Sequence, residues 1–148
     1  MFRRTTAIDK IVALPYRKKI IQGGTWAGKT YSIIPIEISH AAKTPNTLIT
    51  FAAESIPAVR SGAAKVFKEI MQDTGRWVED RWIGNPMEYK FANGSIIEFR
   101  AYDTIGKAKA AGKRDRLFLN EANHIPFAIA DALITRSTYT TLDFNPDN

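Results

Sequence analysis

Gly23-Gly24-Thr25-Trp26-Ala27-Gly28-Lys29-Thr30 is a complete G-x-x-x-x-G-K-[ST] string, and its reading decides the fold. Glycines let the backbone wrap until successive N–H groups face one point, and a following helix adds the positive end of its dipole. Such a cradle suits phosphate oxygens. Within it Lys29 reaches the β- and γ-phosphates of a nucleotide, and the Thr30 hydroxyl ligates Mg2+. Gly23, Gly24, Thr25, Trp26, Ala27, Gly28, Lys29 and Thr30 are therefore the candidate nucleotide-binding residues. The plain alternative is a glycine-rich turn with a surface lysine, and the flanking sequence speaks against it. Lys18 to Gln22 reads as a short strand stopped by the glycines. A helix begins near Gly28 and carries Ile33, Ile34, Ile36 and Ile38. Pro35 lies inside it and predicts a kink or an end.

Outward from this string, strands and helices alternate. Asn46 to Ala53 is a near-continuous apolar run of strand length, the pattern of a buried parallel strand. Ser55 to Asp73 carries Val59, Ala63, Val66, Phe67, Ile70 and Met71 at helical spacing, with Ser55 as N-cap. Tyr89 and Phe91, then Ile97 and Phe99, flank Asn93-Gly94, a hairpin signal with a two-residue turn. Arg116 to Leu119 reads as a strand, Phe127 to Leu133 as a helix and Tyr139 to Phe144 as a last strand. This order predicts an α/β domain with a mostly parallel sheet and the hairpin as an excursion.

The 148 residues make room for one domain, and no repeat or low-complexity linker divides them. The absence of cysteine excludes a disulfide scaffold and thiolate chemistry, and two histidines, His40 and His124, exclude a histidine-rich zinc site. No apolar run has membrane-spanning length, and the N-terminal residues lack a signal-peptide core. A net charge of +6 suits both contact with polyanions and plain solubility.

A second constellation is Arg116-Leu117-Phe118-Leu119-Asn120-Glu121, an apolar strand ending in an amide–acid pair. This is the layout of a Walker B element, which holds Mg2+ at the C-terminal edge of a sheet. Glu121, one residue beyond, is placed to polarise a water for attack on the γ-phosphorus, which favours hydrolysis over transfer to an acceptor. Asn120 stands where an aspartate is usual, offering an amide oxygen but no charge. A solvated Asn-Glu turn after a strand is the simpler alternative. Lys107, Lys109, Lys113, Arg114 and Arg116 suggest a mobile basic loop, either solvated or touching DNA phosphates or a neighbour's nucleotide. Trp77 and Trp82 are expected to plug a core edge rather than stack on a ligand. His124 either touches the site or lies at the surface.

Thr141-Leu142-Asp143-Phe144-Asn145-Pro146 completes a third segment. Taken with Gly23 to Thr30 and Asn120-Glu121-Ala122-Asn123, it resembles the ATPase domain of tailed-phage large terminase subunits, from about residue 10 onward. That resemblance implies a RecA-like, additional-strand P-loop fold. It also implies a Mg2+-ATP hydrolase that drives double-stranded DNA into a procapsid in the cytoplasm of an infected bacterial host. Carried over residue by residue, Gly23 to Thr30 match Walker A. Asn120 matches the Walker B metal position alongside Thr30, and Glu121 with Lys29 the catalytic pair. Asn145 matches a γ-phosphate sensor in the coupling motif. Partners implied are a homo-oligomeric ring on a portal, a terminase small subunit and a nuclease domain, with no membrane.

Two departures stand out. Gly24-Thr25-Trp26-Ala27 lacks the arginine many terminases carry in Walker A, so a charge-compensating arginine must come from elsewhere or from a neighbouring subunit, with Arg114 and Arg136 as the candidate fingers. An RNase H-like nuclease domain would follow in the family, so residues 1–148 are expected to be a single P-loop ATPase domain without nuclease activity. A nucleotide-binding assembly fragment with little turnover is the runner-up. A P-loop small-molecule kinase is a more distant alternative, because it has no use for the water that Glu121 would activate.

Overall fold

The computed structural model describes residues 17–22 and 28–144. Seven strands form one sheet: β1 (Lys18–Gln22), β2 (Leu48–Ala53), β3 (Trp82–Gly84), β4 (Met87–Lys90), β5 (Ile96–Ala101), β6 (Arg114–Leu119) and β7 (Ser137–Phe144). Their spatial order is β1-β7-β6-β2-β5-β4-β3. The first five are mutually parallel, β4 runs antiparallel to β5, and β3 runs antiparallel to β4. The helices are α1 (Lys29–Lys43), α2 (Ile56–Val59), α3 (Lys65–Asp73), α4 (Ile105–Ala110) and α5 (Phe127–Thr135).

Strand periodicity sorts the apolar residues onto two faces. Ile49, Phe51 and Phe118 point into one core with Phe67, Tyr89 and Phe99, under α1 and α3. Ala52, Leu117 and Leu119 point into the other, under α4 and α5, with Ala108, Ile129 and Leu133. Phe51 meets Phe99 and Phe118 edge-on at ring-centroid distances of 5.2 and 5.5 Å, the geometry that ring quadrupoles favour. The result is a three-layer domain with both sheet faces covered, as parallel strands require.

Most sequence-predicted elements are present, with informative differences. Helix α1 continues through Pro35 and does not end there. Ile33, Ile34, Ile38 and Ala41 are buried on both sides of the proline, and that burial outweighs one lost backbone bond. Strand β2 starts at Leu48, two residues later than expected, because Asn46 adopts a left-handed turn. The expected long helix after Ser55 is split by a π-turn over Arg60–Ala64, although every expected apolar position still faces the core. Ser55 does cap it, its hydroxyl accepting the Ala58 N–H at 3.2 Å. Trp77 and Trp82 pack on each other and on Phe67 and Phe99 at the core edge.

The hairpin lies within the sheet, since its second strand, β5, pairs with β2 in parallel. Its loop is longer than two residues: the Phe91 N–H donates to the Ser95 carbonyl, leaving Ala92, Asn93 and Gly94 to turn. The reason is that Asn93 serves another element. Its amide donates to the carbonyls of Ala41 (2.8 Å) and Ala42 (3.2 Å) in the last turn of α1, and its oxygen accepts the Ser95 N–H. Asn93→Ala should lower stability by about 1–2 kcal/mol. Urea unfolding should show a lower midpoint at an unchanged slope.

The basic segment before β6 is also corrected. Lys107 and Lys109 lie on α4, capped by the Thr104 hydroxyl and seated by the fully buried Ala108. Arg116 pairs with Glu37 of α1 at 2.6 Å. No helix among the described residues is long and apolar enough to cross a membrane.

Candidate nucleotide site

Strands β1, β7, β6 and β2 lie side by side, so their C-terminal ends share one edge of the sheet. Ligands of open α/β sheets bind at that edge. Helix α1 starts there. Its entry residue, Gly28, has φ +70°, a left-handed conformation that glycine adopts without strain. Among the described residues no side chain caps this helix start and no acid occupies its first turn, so its N-terminal N–H groups favour an anion. The Lys29 side chain is largely buried, and its Nζ donates to the Phe144 carbonyl at the end of β7 at 2.7 Å.

Across from it, β6 delivers Asn120 and Glu121. Asn120 is buried, and its backbone N–H donates to the Ala52 carbonyl of β2 at 2.8 Å. Glu121 has φ +50°, a left-handed conformation uncommon for a side-chain-bearing residue and concentrated at functional sites. Its backbone N–H donates to Asp143 Oδ1 on β7, which fixes the turn. A cleft of about 380 Å3 is lined by Gly28, Lys29, Thr30, Asn120, Glu121 and Asp143, with Ser61 and Gly62 on the opposite wall. A small-molecule ligand fits a volume of that order.

The π-turn explains that wall. A Cβ on Gly62 would stand 3.1 Å from the Asn120 amide nitrogen, so the extra residue of the turn presses glycine backbone against the site. Turns of this kind recur at functional sites.

Asp143 is 1% exposed. Burial pushes its carboxyl up to about 6; the Glu121 N–H and the Lys29 ammonium oppose the rise, and the Glu121 carboxylate adds to it. The folded value lies above the unfolded one, so between about pH 4 and 6 the folded chain holds a proton that the unfolded chain releases. Stability therefore falls as pH rises through this window, by up to roughly 3 kcal/mol for a shift of about two units. Urea midpoints from pH 4 to 7 should show the fall, and Asp143→Asn should flatten it.

The hydroxyl of Thr30, the amide oxygen of Asn120 and the carboxylate of Asp143 are all oxygen donors, which suit a hard cation such as Mg2+ held partly by phosphates. Among the described residues no cluster of three His, Cys, Asp or Glu side chains forms a metal site without such a ligand.

Of the sequence-predicted site residues, Gly28, Lys29, Thr30, Asn120 and Glu121 converge on the cleft. Gly23, Gly24, Thr25, Trp26, Ala27 and Asn145 lie outside the described residues. The two finger candidates lie away from this chain's own cleft. Arg114 opens β6 and Arg136 immediately precedes β7, so both sit at the far end of the sheet, about 20 Å along the strands. Arg114 is buried and donates to the Gly112 carbonyl, while Arg136 donates to the Ala132 carbonyl.

Sequence reading missed Asp143 and the π-turn as site components. It also passed over Arg60, the exposed arginine adjoining cleft-lining Ser61. His124 lies beside Glu54, with Nδ1 and Oε1 3.7 Å apart, and does not line the cleft.

No family model and no curated protein sequence matches the chain. Solved structures do. The large terminase of a thermophilic bacteriophage superposes with a TM-score of 0.73 at 16% identity, covering 97% of this chain and 39% of that one. Other crystals of that thermophilic phage protein hold ADP or ATP-gamma-S. The HK97 bacteriophage large terminase gives a TM-score of 0.73 at 12% identity, over 97% of this chain and 33% of that one. The ATPase domain of the Thermus phage P74-26 large terminase gives 0.59 at 13%, over 96% and 64%. The chain thus spans about two-fifths of the length of the first of these terminases, and it has the mostly parallel, helix-flanked RecA-like fold of phage large-terminase ATPase domains.

Proposed function

We propose that this chain is the ATP-hydrolysing motor domain of a phage DNA-packaging terminase. Residues 1–148 would form one P-loop ATPase domain. Turnover would drive double-stranded DNA into a procapsid from a homo-oligomeric ring on a portal, in the host cytoplasm. A terminase small subunit and a nuclease activity would be supplied by other polypeptide segments. The observation that carries the reading is the meeting of Lys29, Thr30, Asn120 and Glu121 in one cleft at the strands' C-terminal edge. A terminase of the same fold has been crystallised with ADP and with ATP-gamma-S, which supports the choice of nucleotide.

In this reading the N–H groups at the start of α1 and the Lys29 ammonium bind the β- and γ-phosphates, charge-assisted bonds stronger than neutral ones. Thr30 and Asn120 would hold Mg2+, which neutralises phosphate charge when bound. Glu121, held in its turn by Asp143, orients and deprotonates the attacking water. The bond from Lys29 to the Phe144 carbonyl links the phosphate-binding lysine to the end of β7. When phosphates recruit Lys29, that bond is released, and the change passes to the segment after β7, where Asn145 would sense the γ-phosphate.

The second reading, a nucleotide-binding assembly fragment with little turnover, is favoured by the neutral Asn120 and by both candidate arginines lying at the far edge. Steady-state phosphate release from Mg-ATP, at several protein concentrations and with and without duplex DNA, separates the two. Specific activity that rises with concentration and with DNA supports the motor. ATP binding with no turnover under any condition supports the fragment.

A further inference from the structure

We propose that Asp143, rather than the residue at the Walker B position, supplies the carboxylate that holds the nucleotide's divalent cation. The inference rests on reading the cleft as a Mg-nucleotide site. Sites of this kind combine phosphate oxygens with one or two protein carboxylates, and Asn120 brings none. The sheet provides the replacement from the neighbouring strand. Leu119 of β6 pairs with Leu142 of β7, so one step further along the two parallel strands Asn120 and Asp143 come side by side. Both line the cleft that Thr30 also lines.

Elimination leads to the same residue. Glu121 and Asp143 are the only carboxylates among the described residues that line the cleft. Glu121 lies beyond the strand end, in the turn, where the proposed function gives it the attacking water to orient. Glu54, at the end of β2, lies beside His124 and outside the lining. Asp143, 1% exposed, is fixed from two sides: its Oδ1 accepts the Glu121 N–H, and its own strand ends on the carbonyl that holds Lys29. A carboxylate so placed bridges the metal position and the water-orienting residue. Asp143 and Asn120 would together do what a single aspartate does elsewhere, with the charge moved one strand over.

The test is metal affinity, read without turnover. Mn2+ is titrated into the 148-residue chain with saturating ADP and followed by electron paramagnetic resonance; ADP binding in EDTA is measured by calorimetry. Asp143→Asn should weaken Mn2+ binding at least about tenfold, whereas ADP binding in EDTA, which does not use the metal, should not fall with it. The double variant Asp143→Asn with Asn120→Asp should recover the metal affinity. The single variant Asn120→Asp, in a site that already has its carboxylate, should gain less than about threefold. Mn2+ affinity indifferent to Asp143→Asn would overturn the proposal and leave Asp143 as a positioning residue for Glu121. A hundredfold gain in Asn120→Asp would overturn it too, and this variant serves even if Asp143→Asn fails to fold. Absence of ADP binding by the unmutated chain, with or without metal, would overturn the nucleotide reading along with it.

Discussion

Glu121→Gln should bind ATP as well as the unmutated chain does and fail to turn it over, with phosphate release down by about 10^2- to 10^4-fold. The expectation follows from what the substitution keeps. Glutamine preserves the side chain's size and the left-handed turn, and the backbone N–H that donates to Asp143 is unchanged. What disappears is the acceptor for the proton of the attacking water. The residue makes none of the phosphate contacts assigned to Lys29 and the α1 start, so affinity should move less than about threefold. A loss confined to kcat is the signature of an interaction made in the transition state only. Single-turnover phosphate release alongside equilibrium binding of a fluorescent ATP analogue measures both halves. Equal losses in binding and turnover would place Glu121 among the binding residues instead.

Lys29→Ala should do the reverse and weaken ATP binding by about 10- to 150-fold, from roughly 1.5–3 kcal/mol for a lost charged hydrogen bond. The side chain is buried at the mouth of α1 and bonded to the Phe144 carbonyl, so it starts within the cleft and needs no ordering on binding. Its removal also leaves Asp143 without the neighbouring ammonium that favours its charged form. The variant should therefore lose thermal stability near neutral pH, and less near pH 4, where Asp143 is protonated in the folded chain and has no charge for the ammonium to favour. Lys29→Met, which keeps the apolar stem, should retain more stability than alanine and bind ATP no better. Calorimetric titration with ATP and melting curves at the two pH values check the pair of effects.

How legible the site is in the sequence depends on how local each signal is. Gly28-Lys29-Thr30 and Asn120-Glu121 can be read because each function is written in adjacent residues at a strand–helix or strand–turn junction. The helical stripe from Val59 to Met71 survives even the π-turn, because burial fixes the face a residue points to whatever the local hydrogen-bond register. Asp143 and the arginines depend instead on which strand lies beside which and on which end each residue occupies. Nothing in Leu142-Asp143-Phe144 shows that β7 inserts between β1 and β6, yet that order alone brings Asp143 to Asn120. Arg114 stands six residues before Asn120, close in sequence, but an extended strand turns six residues into the full height of the sheet. Helix α4 reads as a loop because its lysines, Gly106 within it and Gly112 after it outweigh the Thr104 cap and the small buried Ala108, which matter only once α5 is packed against it. At Pro35 the local tendency of proline to end a helix gives way to the burial of the side chains around it.

The most direct test of the account is a crystal structure of the chain with Mg2+ and ATP-gamma-S. The account predicts the triphosphate at the N-terminus of α1, with Lys29 transferred from the Phe144 carbonyl to the phosphates and Glu121 facing the γ-phosphorus across one water. A nucleotide bound elsewhere, or phosphates in this cleft with Lys29 still on Phe144 and Glu121 turned away, would contradict it.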